Sequence, residues 1–441
     1  MTTTHVDRLV LSDRVHSDVY TDPAIFDEEL DRIFHRGWVY VGHESEIAGI
    51  GDYRTRTIGR QPVILVRGED GAVRVLMNRC THKGTLVCPY EKGTARIFTC
   101  AYHSWSFRND GSLLSVPHDE RYGDSFDKGQ LGLREAPRVG IYRGFVFASL
   151  SPDGQAFDHY LTPGARAAID LFTDIAPLRR VSASAGVHKY SYMGNWKLQC
   201  ENNVDAYHFN FVHRSFWQIM NKRAGVRMDF LGTATSAARI RSLGNGHVGW
   251  DYRPLQAKTG ALAVSDDPRL PDATRAYYAM LIERDGRDAV REMMTASPAH
   301  AYIFPNVCIL ASQIRVMQPT AVDRTELYVY PMMLDGAPDE INLKRIRAHE
   351  GFYGPAGGGA TDDFEIFARG TIGMRATVDP WMNISRGAGM EEIDADGHVS
   401  GQITDELGSR TILHHWREVM SGRGPDDVGR RATCSDSAVG R

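Results

Sequence analysis

Apolar positions near the start of the chain fall at helical spacing: Ile25, Phe26, Leu30, Ile33 and Phe34 follow one another behind Asp22-Pro23. Proline at a first helical position gives up no hydrogen bond, so this pattern predicts a helix over Asp22–Arg36. From Trp38 to about Leu150 the period shortens. Runs such as Pro62-Val63-Ile64-Leu65-Val66, Val73-Arg74-Val75-Leu76-Met77 and Gly144-Phe145-Val146-Phe147-Ala148 are alternating or wholly apolar and are set off by glycine and turn residues. That texture predicts a small all-β unit, with Asn109-Asp110-Gly111 as a hairpin turn.

After Ser151-Pro152-Asp153-Gly154 the two periods mix. Helices are expected near His159–Phe172, from Asn195 onward, over Ile341–Tyr353 and over Asp362–Met374. Strands are expected at Val187–Met193, within Ala301–Pro319 and over Thr325–Leu334. The chain therefore reads as α+β. An N-terminal helical segment, 1–37, packs on the larger domain, and a small all-β domain covers 38–155. A domain of antiparallel sheet and helices covers 156–420, and a polar tail, 421–441, frays. The link Gly354-Pro355-Ala356-Gly357-Gly358-Gly359 reads as a flexible, backbone-permissive connection. It follows no strand and carries no lysine, which argues against a phosphate loop.

Composition narrows the classes of function. Of 441 residues, 42% are hydrophobic and 24% charged, the balance of an ordinary globular protein, and a formal charge of −4 gives nucleic acid no basic surface to bind. No apolar run approaches the ~20 residues that span a bilayer. Met1 to Arg14 is polar and has no apolar signal core, and the six cysteines show no disulfide framework, so a cytoplasmic protein is expected.

Two of those cysteines sit in Cys80-Thr81-His82 and Cys100-Ala101-Tyr102-His103, separated by seventeen residues. Two thiolates and two imidazoles on two short loops can hold one metal centre. In a Rieske [2Fe–2S] centre the cysteines bind one iron and the histidines the other. A structural zinc could use the same donors, but the usual finger places both cysteines before both histidines, and here the order alternates. Cys88, between the halves, is a fifth candidate ligand or a bystander thiol.

A second constellation lies in Glu201-Asn202-Asn203-Val204-Asp205-Ala206-Tyr207-His208-Phe209-Asn210-Phe211-Val212-His213. On a helix Asp205 and His208 share a face, so the carboxylate can hydrogen-bond the ring. His208 and His213 would stand about 140° apart on an ideal helix and converge only if it ends or bulges between them. Separate polar residues on a half-buried helix are the alternative. A mononuclear non-haem Fe(II) site needs one more carboxylate. Asp363 shares a helical face with the inward-looking Phe367, Gly370 and Met374, whereas Asp362 falls with Ile366 and Arg369, which favours Asp363 as ligand.

With both constellations in place, the chain resembles, over nearly its whole length, the catalytic α subunits of Rieske non-haem iron aromatic-ring-hydroxylating oxygenases. Lys83, Ala101 and Ser104 depart from residues common in that family, and none removes a ligand. The resemblance implies a helix-grip-like catalytic domain, a [2Fe–2S] cluster on Cys80, His82, Cys100 and His103, and Fe(II) on His208, His213 and Asp363. It further implies electrons from NAD(P)H through a reductase or ferredoxin, and a head-to-tail trimer of α, with or without a small β subunit. In such a trimer Asp205 would bridge His103 of the partner subunit to His208. Tyr102 and Trp105 are expected to pack about the cluster, and Asn202 to border the active site or serve as a cap.

The motif style points to aromatic acids and to cis-dihydroxylation. Phe209, Phe216, Trp217, Ile219 and Met220 are candidate pocket residues or helix core, and Arg315 and Arg386 are candidate partners of a substrate carboxylate. Monohydroxylation or demethylation, a one-domain Rieske electron carrier and a zinc-stabilised binding protein are the competing readings.

Overall fold

The computed structural model describes residues 6–224, 237–259 and 270–422, so the tail expected over 421–441 lies almost wholly outside the described residues. The chain divides into two compact units. One is Phe34–Phe157 with Ser182–Ser184; the other is Met1–Ile33, Asp158–Val181 and Ala185–Arg441.

The smaller unit is built from antiparallel strands: β1 (Val39–His43), β2 (Asp52–Ile58), β3 (Gln61–Arg67), β4 (Val73–Met77), β5 (Lys92–Thr94), β6 (Ile97–Thr99), β7 (Ser106–Arg108), β8 (Leu113–Ser115), β9 (Arg138–Tyr142) and β10 (Phe145–Ser149). They form sheets of order β9-β10-β1, β4-β3-β2-β5 and β6-β7-β8. Val63 to Val66 form an unbroken apolar run because β3 is an interior strand with all four side chains buried. The turn at Asn109-Asp110-Gly111 joins β7 to β8. Gly111 takes φ +91, and the Asp110 carboxylate accepts from the Ser112 amide at 2.8 Å.

In the larger unit a nine-stranded antiparallel sheet collects β11 (His188–Met193), β12 (Arg239–Gly244), β13 (His247–Asp251), β14 (His300–Ile303), β15 (Val307–Leu310), β16 (Gln313–Ala321), β17 (Arg324–Pro331), β18 (Glu392–Ile393) and β19 (Val399–Gln402). The order is β11-β17-β16-β15-β14-β13-β12-β19-β18. The β run expected over Ala301–Pro319 is made of three of these strands, β14, β15 and β16.

The helices that matter for the site are α1 (Pro23–Glu29), α2 (Pro163–Asp174), α3 (Trp196–Asn202), α4 (Phe209–Val212), α5 (Arg214–Ala224), α6 (Asp339–Tyr353), α7 (Ala360–Gly373) and α8 (Leu407–Met420). Two differ from expectation. The helix of Asp22–Arg36 is α-helical only through Glu29 and widens to a π-helix over Leu30–His35. The helix placed over His159–Phe172 is broken: a short turn over Phe157–Tyr160 ends, and Thr162 caps α2, whose first residue is Pro163. Proline here starts a helix rather than continuing one.

Residues Gly354–Gly359 are also not the flexible link that their composition suggests. A Cβ on Gly358 would sit 2.5 Å from Phe216, and one on Gly359 would overlap the Phe352 ring. Glycine lets the backbone lie directly on two aromatic rings.

Tyr20, in the N-terminal segment, donates to Glu201 at the end of α3 at 2.7 Å. Burial raises the Glu201 carboxyl from 4.5 to about 7. Between those values the folded chain holds a proton that the unfolded chain releases, so this group's contribution to stability falls as pH rises through the window. Wild type should lose on the order of 1–3 kcal/mol more than Glu201→Gln between pH 5 and pH 8. Urea midpoints at both pH values check this, and equal losses in the two proteins would sink it.

Candidate metal centres

The first cluster of donors lies in the smaller unit, on two loops that each fold back on a backbone hydrogen bond. Gly84 N donates to Cys80 O and Ser104 N to Cys100 O, both at 2.9 Å. Each loop closes on a residue of positive φ, +76 at Gly84 and +57 at Ser104. Ser104 therefore occupies a left-handed position that glycine adopts without strain.

These turns bring the His82 and His103 rings to 4.6 Å between centroids, while Trp105 stacks on His82 at 4.9 Å and Tyr102 lies 3.8 Å from His103. Cys80 and Cys100 are buried in the apolar core formed by Phe98, Trp105 and Phe107. Burial raises the Cys80 thiol, with Cys100 beside it adding to the effect. The Nδ1 of His82 is buried without a hydrogen-bond partner. Cys88 points elsewhere, its thiol 3.7 Å from the Tyr90 carbonyl.

The second cluster forms in the larger unit, where the expected continuous helix is interrupted. Asn195 caps α3, accepting from Lys197 N at 3.1 Å, and the helix stops at Asn202. Asp205 and His208 are not on a helix. They sit in the irregular stretch before α4, yet Asp205 Oδ2 lies 3.2 Å from His208 Nδ1, the contact expected of them. His208 and His213 flank the single turn of α4, and His213 has left helical geometry at φ −94, ψ 26. That break removes the 140° separation of an ideal helix: the two rings lie 5.2 Å apart.

Asp363, in the first turn of α7, completes the group. Its Oδ1 is 3.6 Å from His208 Nε2 and 3.3 Å from His213 Nε2. The helical face behaves as its periodicity implies, with Asp363 and Phe367 buried while Ile366 is exposed. Asp362 lies at the margin, 3.7 Å from His213 Nδ1. Neither ring nitrogen of the buried His213 has a hydrogen-bond partner. Three donor atoms lie within 4.8 Å of one another. One carboxylate and two imidazoles, two of the three side chains buried, are the donor set of a non-haem Fe(II) site, and the residues fit that ion.

Around the trio, Asn202 Nδ2 donates to Asp363 Oδ1 at 3.1 Å and lies 3.3 Å from His208 Nε2, so Asn202 belongs to the site. Phe209 touches both histidines, and Phe352 packs on His213 at 5.1 Å and on Phe216 at 4.7 Å. Phe352 was not singled out by sequence, since nothing local marks it. Of the other candidate pocket residues, Trp217 lies 6.2 Å from Phe352, whereas Ile219 and Met220 are exposed. Arg386 is exposed, lies over the Tyr207 ring and donates to the Thr404 carbonyl at 2.8 Å. Arg315 is buried.

The family profile described as Rieske [2Fe-2S] domain matches residues 37–135, and that described as the catalytic domain of the ring-hydroxylating alpha subunit matches 179–422. The 2-halobenzoate 1,2-dioxygenase large subunit of Burkholderia cepacia is 33% identical, covering 85% of this chain and 80% of its own. The toluate 1,2-dioxygenase subunit alpha of Pseudomonas putida is 32% identical over 94% of each chain. A crystal structure of a naphthalene 1,2-dioxygenase bound to phenanthrene superposes with a TM-score of 0.83 at 25% identity, covering 98% of each chain.

Proposed function

The chain belongs to the ring-hydroxylating oxygenase alpha subunits, and from that premise we propose that it adds both atoms of O2 to the ring of an aromatic carboxylate, giving a cis-dihydrodiol. The convergence of His208, His213 and Asp363, in a chain that also carries the cysteine–histidine loops, supports this reading most directly. The named benzoate-type relatives support the acid.

His208, His213 and Asp363 would hold the mononuclear iron, and Cys80, His82, Cys100 and His103 the cluster. When bound, the iron supplies O2 activation and the cluster delivers single electrons. The remaining work falls to side chains. Asp205 accepts from His208 Nδ1–H, which fixes the ring and leaves Nε2 as the donor atom. Asn202 restrains the Asp363 carboxylate. Phe209, Phe216 and Phe352 wall the site with apolar surface and keep water from it.

The reaction consumes two electrons and two protons for each O2. NAD(P)H supplies both electrons, through a reductase with or without a ferredoxin, and one of the protons; the other comes from the solvent. Exposed Tyr102 and His103 in one unit, and half-exposed Asp205 in the other, suit electron transfer between subunits of a head-to-tail trimer of α, alone or with β. The cysteines among the described residues form no disulfide, which suits the cytoplasm. No described helix is long and apolar enough to cross a membrane.

The test is product analysis after turnover of benzoate under 18O2 with a surrogate reductase. Two labelled oxygens on one product support the proposal, and a single labelled oxygen makes the enzyme a monohydroxylase. Stoichiometric zinc without acid-labile sulfide would sink the oxygenase reading altogether.

A further inference from the structure

Among the described residues three lysine or arginine side chains are buried: Lys197, Arg315 and Arg410. Two have a carboxylate partner, Glu29 for Lys197 and Glu391, at 2.6 Å, for Arg410. Arg315, 3% exposed, has none among the described residues. Its Nη1 donates to Asn203 Oδ1 at 2.9 Å, its guanidinium lies over the Tyr353 ring at 4.7 Å, and its Nε is buried without an acceptor. A buried guanidinium with no counter-charge is costly unless something else supplies that charge.

The surroundings offer donors rather than acids. Arg315 on β16 pairs across the sheet with Val329, which pairs in turn with His188, so the three side chains share a sheet face. Over that face α6 places His349, 1% exposed, with both ring nitrogens unpartnered. Its ring is 5.3 Å from that of His188 and 5.8 Å from that of Tyr353. Gln313, two residues before Arg315 and on the same face, has both amide atoms buried and unpartnered.

The donor atoms of His188, His349 and Glu350 also lie within 4.8 Å of one another, as in a metal site. However, Glu350 is exposed and pairs with His188 at 2.9 Å. The positive charge of Arg315 acts on His349 as well, behind burial and His188, and the ring's pKa falls to about 4. A second cation is disfavoured there, and an anion is favoured.

Both contacts of Arg315 are sequence neighbours of residues at the iron site. Asn203 adjoins Asn202, which donates to Asp363, and Tyr353 adjoins Phe352, which packs on His213. We infer that Arg315, with His349 and Gln313 beside it, is the anion subsite of the active site and takes the carboxylate of the aromatic acid. This rests on the proposed substrate class. A single guanidinium offsets a single negative charge, and its planar fork suits a carboxylate. Tyr353 holds that fork flat from the other side.

Binding of benzoate and of benzamide to the anaerobic, iron-loaded, oxidised protein is measured by calorimetry, so that no turnover is needed. Wild type should bind benzoate at least about tenfold more tightly than benzamide. Arg315→Gln should weaken benzoate about ten- to a hundredfold while changing benzamide less than about threefold, with Arg315→Lys between. Cluster absorbance and thermal melting confirm that each variant is folded. If Arg315→Gln keeps the wild-type preference, the subsite is wrong while the function stands. If Arg315→Gln does not fold, equal binding of benzoate and benzamide by wild type, or an unchanged preference in His349→Phe, overturns it. If wild type binds and oxidises only uncharged arenes, the proposed substrate class itself fails.

Discussion

Asp363→Ala is expected to yield a folded, red-brown protein with an intact cluster spectrum, no mononuclear iron, and product formation at background. Iron should fall from about three per chain to about two, with acid-labile sulfide unchanged. The reason is the size of the donor set. Among the described residues Asp363 is the one carboxylate facing both His208 Nε2 and His213 Nε2, and removing it leaves two imidazoles without a charge to balance the ion. The same loss is expected of His213→Ala.

Two controls separate ligation from folding. Asp362→Ala should retain the third iron, because Asp362 sits half-exposed at the rim of the group. Asp205→Ala should retain most of the iron yet lose about ten- to a hundredfold in turnover, the usual cost of removing the carboxylate behind a ligating histidine. Iron and sulfide analysis beside single-turnover assays decides the matter. If Asp362→Ala loses the third iron and Asp363→Ala keeps it, the ligand assignment is reversed.

Much of this site is legible in sequence, for reasons that differ residue by residue. The cluster donors are local: a short loop fixes Cys80 near His82, and another Cys100 near His103, so spacing alone conveys the chemistry. Asp363 is legible because helix periodicity survives folding, and its face is buried as the neighbours of Asp362 and Asp363 imply. The geometry of His208 and His213 is not, since an ideal helix sets them apart and only the end of the α4 turn, where His213 leaves helical geometry, lets them meet.

Tertiary contacts decide the rest. Arg315 and Arg386 look alike in sequence, but one lies buried on a sheet strand with no carboxylate partner among the described residues, and the other is exposed and donates to the Thr404 carbonyl. The glycines of 354–359 read as freedom, whereas Phe352 and Phe216 make them a requirement of close approach, and those rings meet the segment only in the folded chain. Phe352 itself becomes a site residue through a contact with His213, 139 residues earlier in the sequence (352 − 213).

The largest effect on stability is expected at Glu29, far in sequence from the iron. Its carboxylate and the ammonium of Lys197 are both fully buried and in contact. Trp196 Nε1 donates to Glu29 Oε2 at 2.8 Å and Trp416 Nε1 to Oε1 at 2.6 Å. Glu29→Ala removes three partners at once and leaves a charge and two indole N–H groups inside the protein, which should cost about 3–5 kcal/mol. Burial already depresses the Lys197 pKa, ahead of the opposing pull of Glu29. Without Glu29 that depression deepens, so the unfolded chain binds the proton in preference and the variant should regain stability as pH rises toward 10. Glu29→Ala combined with Lys197→Met should recover much of the loss, because the pair leaves together. Urea titrations of the three proteins followed by tryptophan fluorescence measure this, and a loss below about 1 kcal/mol for Glu29→Ala would falsify it. The consequence reaches the active site through one helix. Trp196 and Lys197 open α3, and the same helix ends at Asn202, just ahead of Asp205 and His208. Iron should therefore leave Glu29→Ala at a lower urea concentration than wild type, while the cluster, held by loops of the other unit, is lost no earlier.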